Sequence, residues 1–497
     1  MSDSINIPNL HPSQRVEEEL SRSFKDQFES FVGSYSRASL MHMAENVIVS
    51  DNRMEDDDSV YSARHSEGAL GEQTPLLLPS PSLCKVDSYS SVVTIGDDYK
   101  QSNSKKSSFL QSIFNSINIL IGVGVLSLPM GFKSSGWLIS IIIFCFCFGL
   151  TNYTAKLLAK CLDTDPESRT YGDMGAMVFG AKGRVFISCL FLAELITCSV
   201  ALVVLLSDGI ESLFPGHNPF LIRLVSFAIL TPTLYIPIRH LSYTSLLGIL
   251  SVISLLAVII YDGLSKPTAP GSLHQMEPTA TLLPVDYTAI PMSFGLIMAG
   301  FAGHAVFPTI YRDMKHPEHY TQMVNYSYFV AAMVYMAVAA SGYAMFGSKT
   351  MQEITQNLVM IPEYNQTLNR LAVYLIAINP IAKYGLTLNP VVLSWQMGLL
   401  PHLEPQINKT KYTKTLVKWV GILLTSASIV TLAILIPDFD KVMSLLGASF
   451  SFLISGIFPI FCYLKLFKLP LWKRMLNYAL VSIAILMAIT GTIKSCF

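Results

Sequence analysis

The chain has 497 residues, of which 51% are hydrophobic and only 14% are charged, and this excludes a water-soluble protein of two or three domains. Lysine plus arginine equals aspartate plus glutamate at 34 each, so the net charge favours neither nucleic acid nor an acidic partner. The composition predicts an all-α polytopic membrane protein in contact with lipid.

Residues 1–107 make up a polar, acidic tail with ten basic and seventeen acidic side chains, including the run Glu55-Asp56-Asp57-Asp58. The tail lacks hydrophobic periodicity and cannot bury enough apolar surface to fold, so we predict a disordered cytosolic segment. It has no charged start followed by an apolar core, which is the pattern of a signal peptide. The first apolar segment is therefore expected to direct membrane insertion.

Residues 108–497 are predicted to form the transmembrane domain. About eleven apolar runs are long enough to span a membrane. They cover residues 108–130, 136–160, 185–207, 221–238, 243–262, 290–310, 322–346, 369–399, 415–436, 441–464 and 475–493. The eighth run contains Pro380 and Pro390, so it is either one long kinked helix or a helix followed by a re-entrant piece.

Basic residues between the runs predict the orientation of the chain. With the N-terminus in the cytosol, eighteen lysines and arginines fall on the inner side and seven on the outer side. Because positive charge concentrates on the cytosolic side, this alternation predicts an inner N-terminus and an outer C-terminus. Asn365-Gln366-Thr367 then lies outside, where Asn365 is a glycosylation candidate unless the triplet occurs by chance.

Two of the runs are interrupted at mid-membrane depth. The first contains Gly122-Val123-Gly124 within NILIGVGVLSLP, and the sixth contains Gly300 and Gly303 within LIMAGFAGHAVFP. One such pair alone would indicate a close helix crossing. Two pairs five spans apart, each followed by proline, predict broken helices one and six in a five-plus-five inverted repeat. Repeat one is expected at about 108–262, repeat two at about 290–464, and one extra helix at about 475–493.

A helix broken inside a membrane exposes amide groups and carbonyl groups that can bind a zwitterion. The half-helix that starts at Gly124 offers amides for a carboxylate, and those that end near Leu120 and Ala299 offer carbonyls for an ammonium group. Apolar surroundings, including Phe301, favour neutral side chains on the substrate. The predicted substrate-binding residues are Gly122, Val123, Gly124, Ala299, Gly300, Phe301 and Gly303.

Three ionisable residues lie at membrane depth, where charge is costly and functional roles are common. His304 beside the second break either carries a coupled proton or bonds a freed carbonyl and holds the break in shape. Lys383 in the eighth run either exchanges a proton or serves as a structural ammonium tethered to carbonyls or to Glu194. Glu194 itself is either part of the proton pathway or structural.

The sequence shows no sign of catalysis or of a resident metal. The eight cysteines include no CxxC or Cys/His spacing, and no nucleophile-base pair, P-loop or dinucleotide fingerprint is present. We therefore expect a protein that is not an enzyme and has no cofactor.

Several segments together resemble the amino acid/auxin permease family, and within it the fungal vacuolar amino-acid transporter branch. The segments are NSINILIGVGVLSLP followed by SSGW, CLDTDP, FGAKGR, AGFAGHAVFPTIYRDMKHP and NPIAKYGLTLNPVV. The resemblance covers about residues 107–493 and leaves out the acidic tail. It implies the five-plus-five fold with one extra helix and movement of amino acids driven by a proton gradient.

The resemblance also bears on individual residues. It places Gly122, Val123 and Gly124 in the unwound part of helix one, and Gly300, Gly303 and His304 in that of helix six. The remaining inferences concern Lys383 and the tail. Lys383 falls where sodium-coupled relatives place hydroxyl-bearing residues beside a sodium ion, so its ammonium could replace the cation. In the tail, Glu72-Gln73-Thr74-Pro75-Leu76-Leu77 resembles an acidic dileucine signal, of which Glu72, Leu76 and Leu77 would be read by a sorting adaptor.

The leading hypothesis is a proton/neutral amino-acid antiporter that loads the vacuole by alternating access. One alternative is a proton-coupled exporter from the vacuole or a plasma-membrane symporter with the same fold. A second alternative is an amino-acid sensor without net transport, which is disfavoured because no second folded domain is evident.

Overall fold

The computed structural model describes residues 106–166, 168, 170–236, 238–407 and 411–496, with the side chains at 238–246 and 396–415 left out of the description. Almost all of the acidic tail lies outside these residues. The tail's predicted disorder and the sorting signal at Glu72, Leu76 and Leu77 therefore stay predictions.

The described chain consists of helices joined mostly by short connections, with a longer one at residues 266–289. In chain order they are α1 Phe109–Leu120, α2 Leu128–Leu162, α3 Tyr171–Leu213, α4 Pro219–Leu230, α5 Ile238–Ser265, α6 Ile290–Gly300, α7 Phe307–Asp313, α8 Tyr320–Phe346, α9 Ile354–Met360, α10 Gln366–Ile407, α11 Lys411–Leu435, α12 Phe439–Leu445, α13 Phe458–Leu466 and α14 Leu471–Cys496. Single 3-10 turns occur at Val123–Ser127, Thr231–Tyr235, Tyr287–Ala289, Pro317–His319 and Gly347–Lys349, and a π-helix covers Leu446–Ile457.

The predicted all-α membrane fold is confirmed. Within the described residues, eight helices are long and apolar enough to cross a membrane. Three shorter apolar helices accompany them, at Phe109–Leu120, Pro219–Tyr235 and Tyr287–Gly300. Two of these three end at the predicted breaks, which explains why they are short. The total of eleven spans and the inverted relation of the two halves stay predictions.

Two connections differ in detail from the sequence-based boundaries. Residues 131–135, the predicted gap between the first two runs, are helical, and the turn lies at Gly136, whose φ of 69° divides α2 into two helices. The eighth run is one helix, α10, and contains both Pro380 and Pro390. The first of the two alternatives for this run, a single long helix, is therefore the observed one.

The broken helices occupy the centre of the bundle. Helix α6 packs against α2, against the π-helix and against α14, while α10 packs along α3 and α5. The close approach of α6 to the tenth run is visible at Ser444, whose hydroxyl donates to the carbonyl of Met292 over 3.2 Å. The interior is apolar and aromatic, with Phe132, Phe301, Phe307 and Tyr335 fully buried.

Candidate functional site

The first break separates α1 from the 3-10 turn that starts at Val123. A capping box at Ser108 and Gln111 starts α1, and the helix ends when Ile121 leaves the helical conformation. Gly122 is extended, with φ of −115° and ψ of −164°. The first amides of a helical turn have no acceptor within that turn, and here the turn starts at Val123, after the two-residue gap that follows α1.

The second break separates α6, which ends at Gly300, from α7, which starts at Phe307. Residues 301–306 are not helical. Gly303 has φ of 147°, a region that residues with a side chain rarely adopt. Pro308 occupies the first turn of α7, where a missing amide hydrogen costs nothing. The prediction of two broken helices is thus confirmed.

The two breaks contact one another. A Cβ atom on Gly124 would lie 3.4 Å from the carbonyl oxygen of Ala299, so the start of the 3-10 turn packs on the end of α6. A Cβ atom on Gly303 would lie 2.8 Å from Cγ2 of Ile119, which is too close without movement of the helix. The structure therefore brings the predicted residues of both breaks into one place.

Tyr335 of α8 joins the ends of both half-helices. Its hydroxyl group is hydrogen-bonded to the carbonyl of Leu120, which ends α1, and lies 2.7 Å from the carbonyl of Gly300, which ends α6. The side chain is fully buried. Because a hydroxyl has one hydrogen, the two carbonyls share a single donor and each keeps a free lone pair. These lone pairs can accept hydrogen bonds from an ammonium group.

Phe301 lies within the second break, but its ring is fully buried in a cluster of aromatic side chains. The ring centroids of Phe144 and Tyr335 lie 5.2 Å and 5.3 Å away, and those of Phe148 and Tyr328 lie 6.2 Å and 6.3 Å away. The observed neighbours of Phe301 therefore belong to α2 and α8. Its predicted contact with substrate stays a prediction.

His304 lies between α2 and the second break and has no exposed surface. Its Nε2 atom is 3.1 Å from the carbonyl of Thr151 and 2.9 Å from the hydroxyl of Thr154. A nitrogen this close to a carbonyl carries the proton, so Nε2 is the donor. The Nδ1 atom has no partner among the described residues, and a second proton there would be a buried donor without an acceptor. These surroundings favour the structural alternative for His304.

Lys383 lies at the packed interface of α10 with α5. A Cβ atom on Gly248 of α5 would lie 3.5 Å from Nζ of Lys383 and 3.1 Å from Oδ1 of Asn379. That Oδ1 atom is buried and accepts no hydrogen bond from any described residue. Gly248 keeps this interface narrow, and the unpaired carbonyl oxygen of Asn379 lies one turn from Lys383, where it is an available acceptor for the amine.

Glu194 and Lys383 share their surroundings without forming a direct ion pair among the described residues. Cys198, one turn after Glu194 on α3, interacts electrostatically with both groups. Of the two structural alternatives for Lys383, tethering to carbonyls or to Glu194, no ion pair with Glu194 occurs among the described residues, and the choice between a structural and a coupling role stays a prediction.

Two of the motifs noted in the sequence meet at the predicted cytosolic face. In YRDMKHP, the hydroxyl of Tyr311 donates to Asp163 over 2.5 Å. Arg312 donates to the carbonyls of Leu162 over 2.7 Å and Asp165 over 2.9 Å. The end of α7 is thereby bound to the connection between α2 and α3, which contains the CLDTDP motif.

The start of α1 is bound to the same end of α7. The amide of Ser107 donates to the carbonyl of Asp313 over 2.8 Å, and the amide of Lys315 donates to the carbonyl of Ser107 over 2.9 Å. The Ser107 hydroxyl also donates to the Asp313 side chain. The two broken helices are therefore joined to one another at the predicted cytosolic face.

Sequence reasoning missed Tyr335 because a tyrosine in an apolar span carries no motif. It also missed the Ser107–Asp313 contact, which joins residues 206 positions apart.

Asn365, the glycosylation candidate, is exposed immediately before α10, and its Oδ1 atom accepts from the amide of Leu368 over 3.2 Å. Its modification stays a prediction.

The bundle and its two touching breaks define a polytopic membrane protein of the kind that binds solutes between interrupted helices. Comparison with known proteins gives the particular family. The model of the family described as transmembrane amino acid transporter protein matches residues 105–497, and the chain belongs to this family. The resemblance identified from the motifs is therefore confirmed.

Curated relatives from Arabidopsis thaliana are similar over most of the chain. Amino acid transporter AVT1B is 32% identical over 423 residues, which cover 82% of this chain and 72% of the relative. Amino acid transporter AVT1E is 31% identical over 412 residues, which cover 81% of this chain and 74% of the relative.

The solved structures that match are more distant in sequence. MhsT in complex with L-phenylalanine has a TM-score of 0.47 and 12% identity, and the match covers 77% of this chain and 98% of that chain. A mutant of the Eremococcus coleocola manganese transporter has a TM-score of 0.46 and 18% identity, and the match covers 76% of this chain and 86% of that chain.

Proposed function

We propose that this member of the amino acid transporter family moves neutral amino acids into an acidic vacuole in exchange for protons. The observation that carries the proposal is the contact between the two breaks. The Tyr335 hydroxyl brings together the carbonyls of Leu120 and Gly300, and the start of the 3-10 turn packs on Ala299. Carbonyl acceptors and the first amides of a helical turn are the groups that a zwitterion requires.

Lys383 is the residue to which we assign proton coupling. Its amine lies at an interface that a glycine keeps narrow, beside an amide oxygen without a partner among the described residues. An amine in such a place can bind and release a proton as the helices rearrange. His304 lacks a described acceptor for a second proton, so we assign it the role of an anchor between α2 and the second break.

Two parts of the proposal, the direction of transport and the identity of the membrane, rest on other features. The fold permits exchange in either direction, and an acidic lumen supplies the gradient for loading by antiport. The tail segment around Glu72, Leu76 and Leu77 would route the protein to the vacuole through a sorting adaptor. Replacing Leu76 and Leu77 with alanine should redirect a fluorescent fusion away from the vacuolar membrane, and unchanged routing would contradict this step.

Uptake by proteoliposomes tests the transport proposal. Labelled neutral amino acids should enter vesicles of the purified protein when the interior is acidic, and a protonophore should abolish this uptake. Uptake driven by an acidic exterior would instead indicate a symporter. Binding without uptake in either gradient would indicate a sensor.

Single substitutions test the coupling assignment. Lys383→Ala should abolish dependence on the proton gradient while amino-acid exchange between the two sides continues. Lys156→Ala is the matched control, since Lys156 in α2 bonds to the Asn152 side chain over 2.6 Å and lies away from the breaks. Proton-driven uptake that survives Lys383→Ala would refute the assignment, and coupling lost in His304→Ala alone would transfer it to His304.

A further inference from the structure

The connection between α8 and α10 closes one end of the bundle. It contains α9 and lies at the end of the bundle opposite the Ser107–Asp313 contact. The charge pattern predicts that this opposite end faces away from the cytosol. Gln352 accepts a hydrogen bond from the amide of Phe439 over 2.8 Å, and Lys133 donates to the carbonyl of Thr350 over 2.7 Å. We call residues 350–361 the outer cap.

A carboxyl group is buried where the outer cap meets α3. Glu353, the residue before α9, is only 1% exposed. Its Oε2 atom accepts a hydrogen bond from the Thr355 hydroxyl over 3.3 Å, whereas its Oε1 atom has no donor among the described residues. The neighbouring acidic group is Asp208 near the end of α3: Gln356, three residues after Glu353, lies 3.5 Å from its carboxyl group, and the charge of Asp208 acts on Glu353.

The surrounding charges do not neutralise two carboxylates. Arg223 of α4 approaches Asp208 at 3.7 Å, and Gln356 of α9 approaches the other oxygen of Asp208 at 3.5 Å. The guanidinium group of Arg223 also donates to the carbonyls of Val204 over 3.4 Å and Pro437 over 3.3 Å. One shared cation thus serves both acidic groups.

The remaining charged neighbours are mostly acidic. Glu211 of α3, Asp438 before α12 and Asp440 within α12 all act on Asp208. Lys441 is engaged with Asp438 over 2.9 Å. Burial, followed by the charge of Asp208, raises the pKa of the Glu353 carboxyl well above its ordinary range. Arg223 opposes this shift but does not cancel it.

Two ionised carboxylates in contact repel one another, and a single proton between them replaces the repulsion with a strong hydrogen bond. We propose that Glu353 and Asp208 form a proton-binding site in which one shared proton ties the outer cap to α3. No residue of this pair belongs to the breaks or to the Lys383 interface. The site depends on the proposed function only for the statement that it faces an acidic compartment.

The sign of the pH dependence follows from linkage. The folded chain binds this proton more tightly than an opened cap does, so acid pH favours the closed cap. When the pH rises above the ordinary pKa range of a glutamate, the site in the opened form is already ionised. The free energy that favours the closed cap then decreases. The closing contribution is lost once the pH passes the pKa of the shared site.

Hydrogen–deuterium exchange of the full-length purified protein, without substrate or gradient, measures this effect. After correction for the intrinsic exchange rate, amides of Ile354–Met360 should be strongly protected at about pH 5 and less protected at about pH 8. One linked proton changes the opening equilibrium by up to about tenfold for each pH unit between the pKa of the site in the opened form and its pKa in the closed form.

Two amide substitutions and one control make the test specific. Glu353→Gln and Asp208→Asn each supply a permanent amide donor to the remaining carboxylate, so the cap should stay protected at both pH values. Glu363→Gln, an exposed residue of the same connection that pairs with Lys266 over 3.4 Å, should behave as the unmodified chain does. Having two variants keeps the test decisive if one of them does not fold.

Two results would overturn the proposal. One is equal protection of the outer cap at both pH values in the unmodified chain. The other is a pH dependence that persists unchanged in Glu353→Gln and Asp208→Asn. Because exchange is measured without transport, failure of the antiport proposal would leave this result standing, and failure of this test would leave the antiport proposal standing.

Discussion

Replacing Tyr335 with phenylalanine removes one hydroxyl group and keeps the ring. The ring would still pack on Gly300 and on Phe301, whose centroid lies 5.3 Å away. The carbonyls of Leu120 and Gly300 would lose their common donor. The substitution therefore acts on the ends of both half-helices with little change in volume.

The expected magnitude follows from the burial of these carbonyls. Removing one partner from a buried hydrogen bond costs about 1–3 kcal/mol, because the remaining polar group is left unsatisfied. Here two carbonyls share the donor, so we expect a loss of folding stability in the upper half of that range. Where about 1.4 kcal/mol of this loss falls on substrate binding, the affinity becomes about tenfold weaker.

Tyr320→Phe is the matched control. Tyr320 lies on the same helix, is 2% exposed, and donates to the carbonyl of Ala155 in α2 over 3.0 Å, so its hydroxyl serves neither the Leu120 nor the Gly300 carbonyl. Thermal unfolding should show that both variants are destabilised, whereas amino-acid uptake should fall about tenfold only in Tyr335→Phe. Equal uptake by the two variants at matched folded protein would refute the role assigned to the Tyr335 hydroxyl.

Three further substitutions test the geometry. Gly303→Ala should cost about 1–3 kcal/mol of folding stability because φ is 147° there, whereas Gly149→Ala, with open space around it, should be tolerated in the same unfolding assay. Phe301→Ala should cost about 3–5 kcal/mol by opening the aromatic cluster, and an altered substrate preference in competition uptake is expected if Phe301 contacts substrate as predicted; an unchanged preference would remove Phe301 from the binding site. Arg312→Lys should slow transport by losing planar contacts to two carbonyls, while normal rates would show that the contact is dispensable.

The breaks were predictable because they depend on local chemistry. Glycine tolerates φ values that other residues avoid, and proline favours the first turn of a helix, so Gly303 and Pro308 mark the second interruption in the sequence itself. At the first, the lack of a side chain on Gly124 permits the close approach to Ala299. The depth of both breaks within apolar runs indicated that the freed backbone groups face a cavity. The structure adds that the two breaks touch.

The partners of buried polar groups were not predictable in the same way. Tyr335 reaches a carbonyl 215 residues earlier in the chain, and His304 reaches Thr151 across 153 residues. Such pairings depend on how helices pack, and a single sequence contains no signal of them. Lys383 was identified because lysine is rare at membrane depth, but its neighbours on α5 required the fold.

The two ends of the bundle differ in what holds them closed. At the predicted cytosolic end, backbone hydrogen bonds join Ser107, Asp313 and Lys315, and the Ser107 hydroxyl donates to the Asp313 carboxylate. At the other end, the proposed site of Glu353 and Asp208 binds a proton when it closes. A hydroxyl donor already bonds the carboxylate at the first end, so that closure gains no proton, whereas the second closure does, and a pH gradient therefore acts differently on the two ends. Since a gradient can shift an equilibrium only through a difference in proton binding between two states, this asymmetry would give alternating access a preferred order.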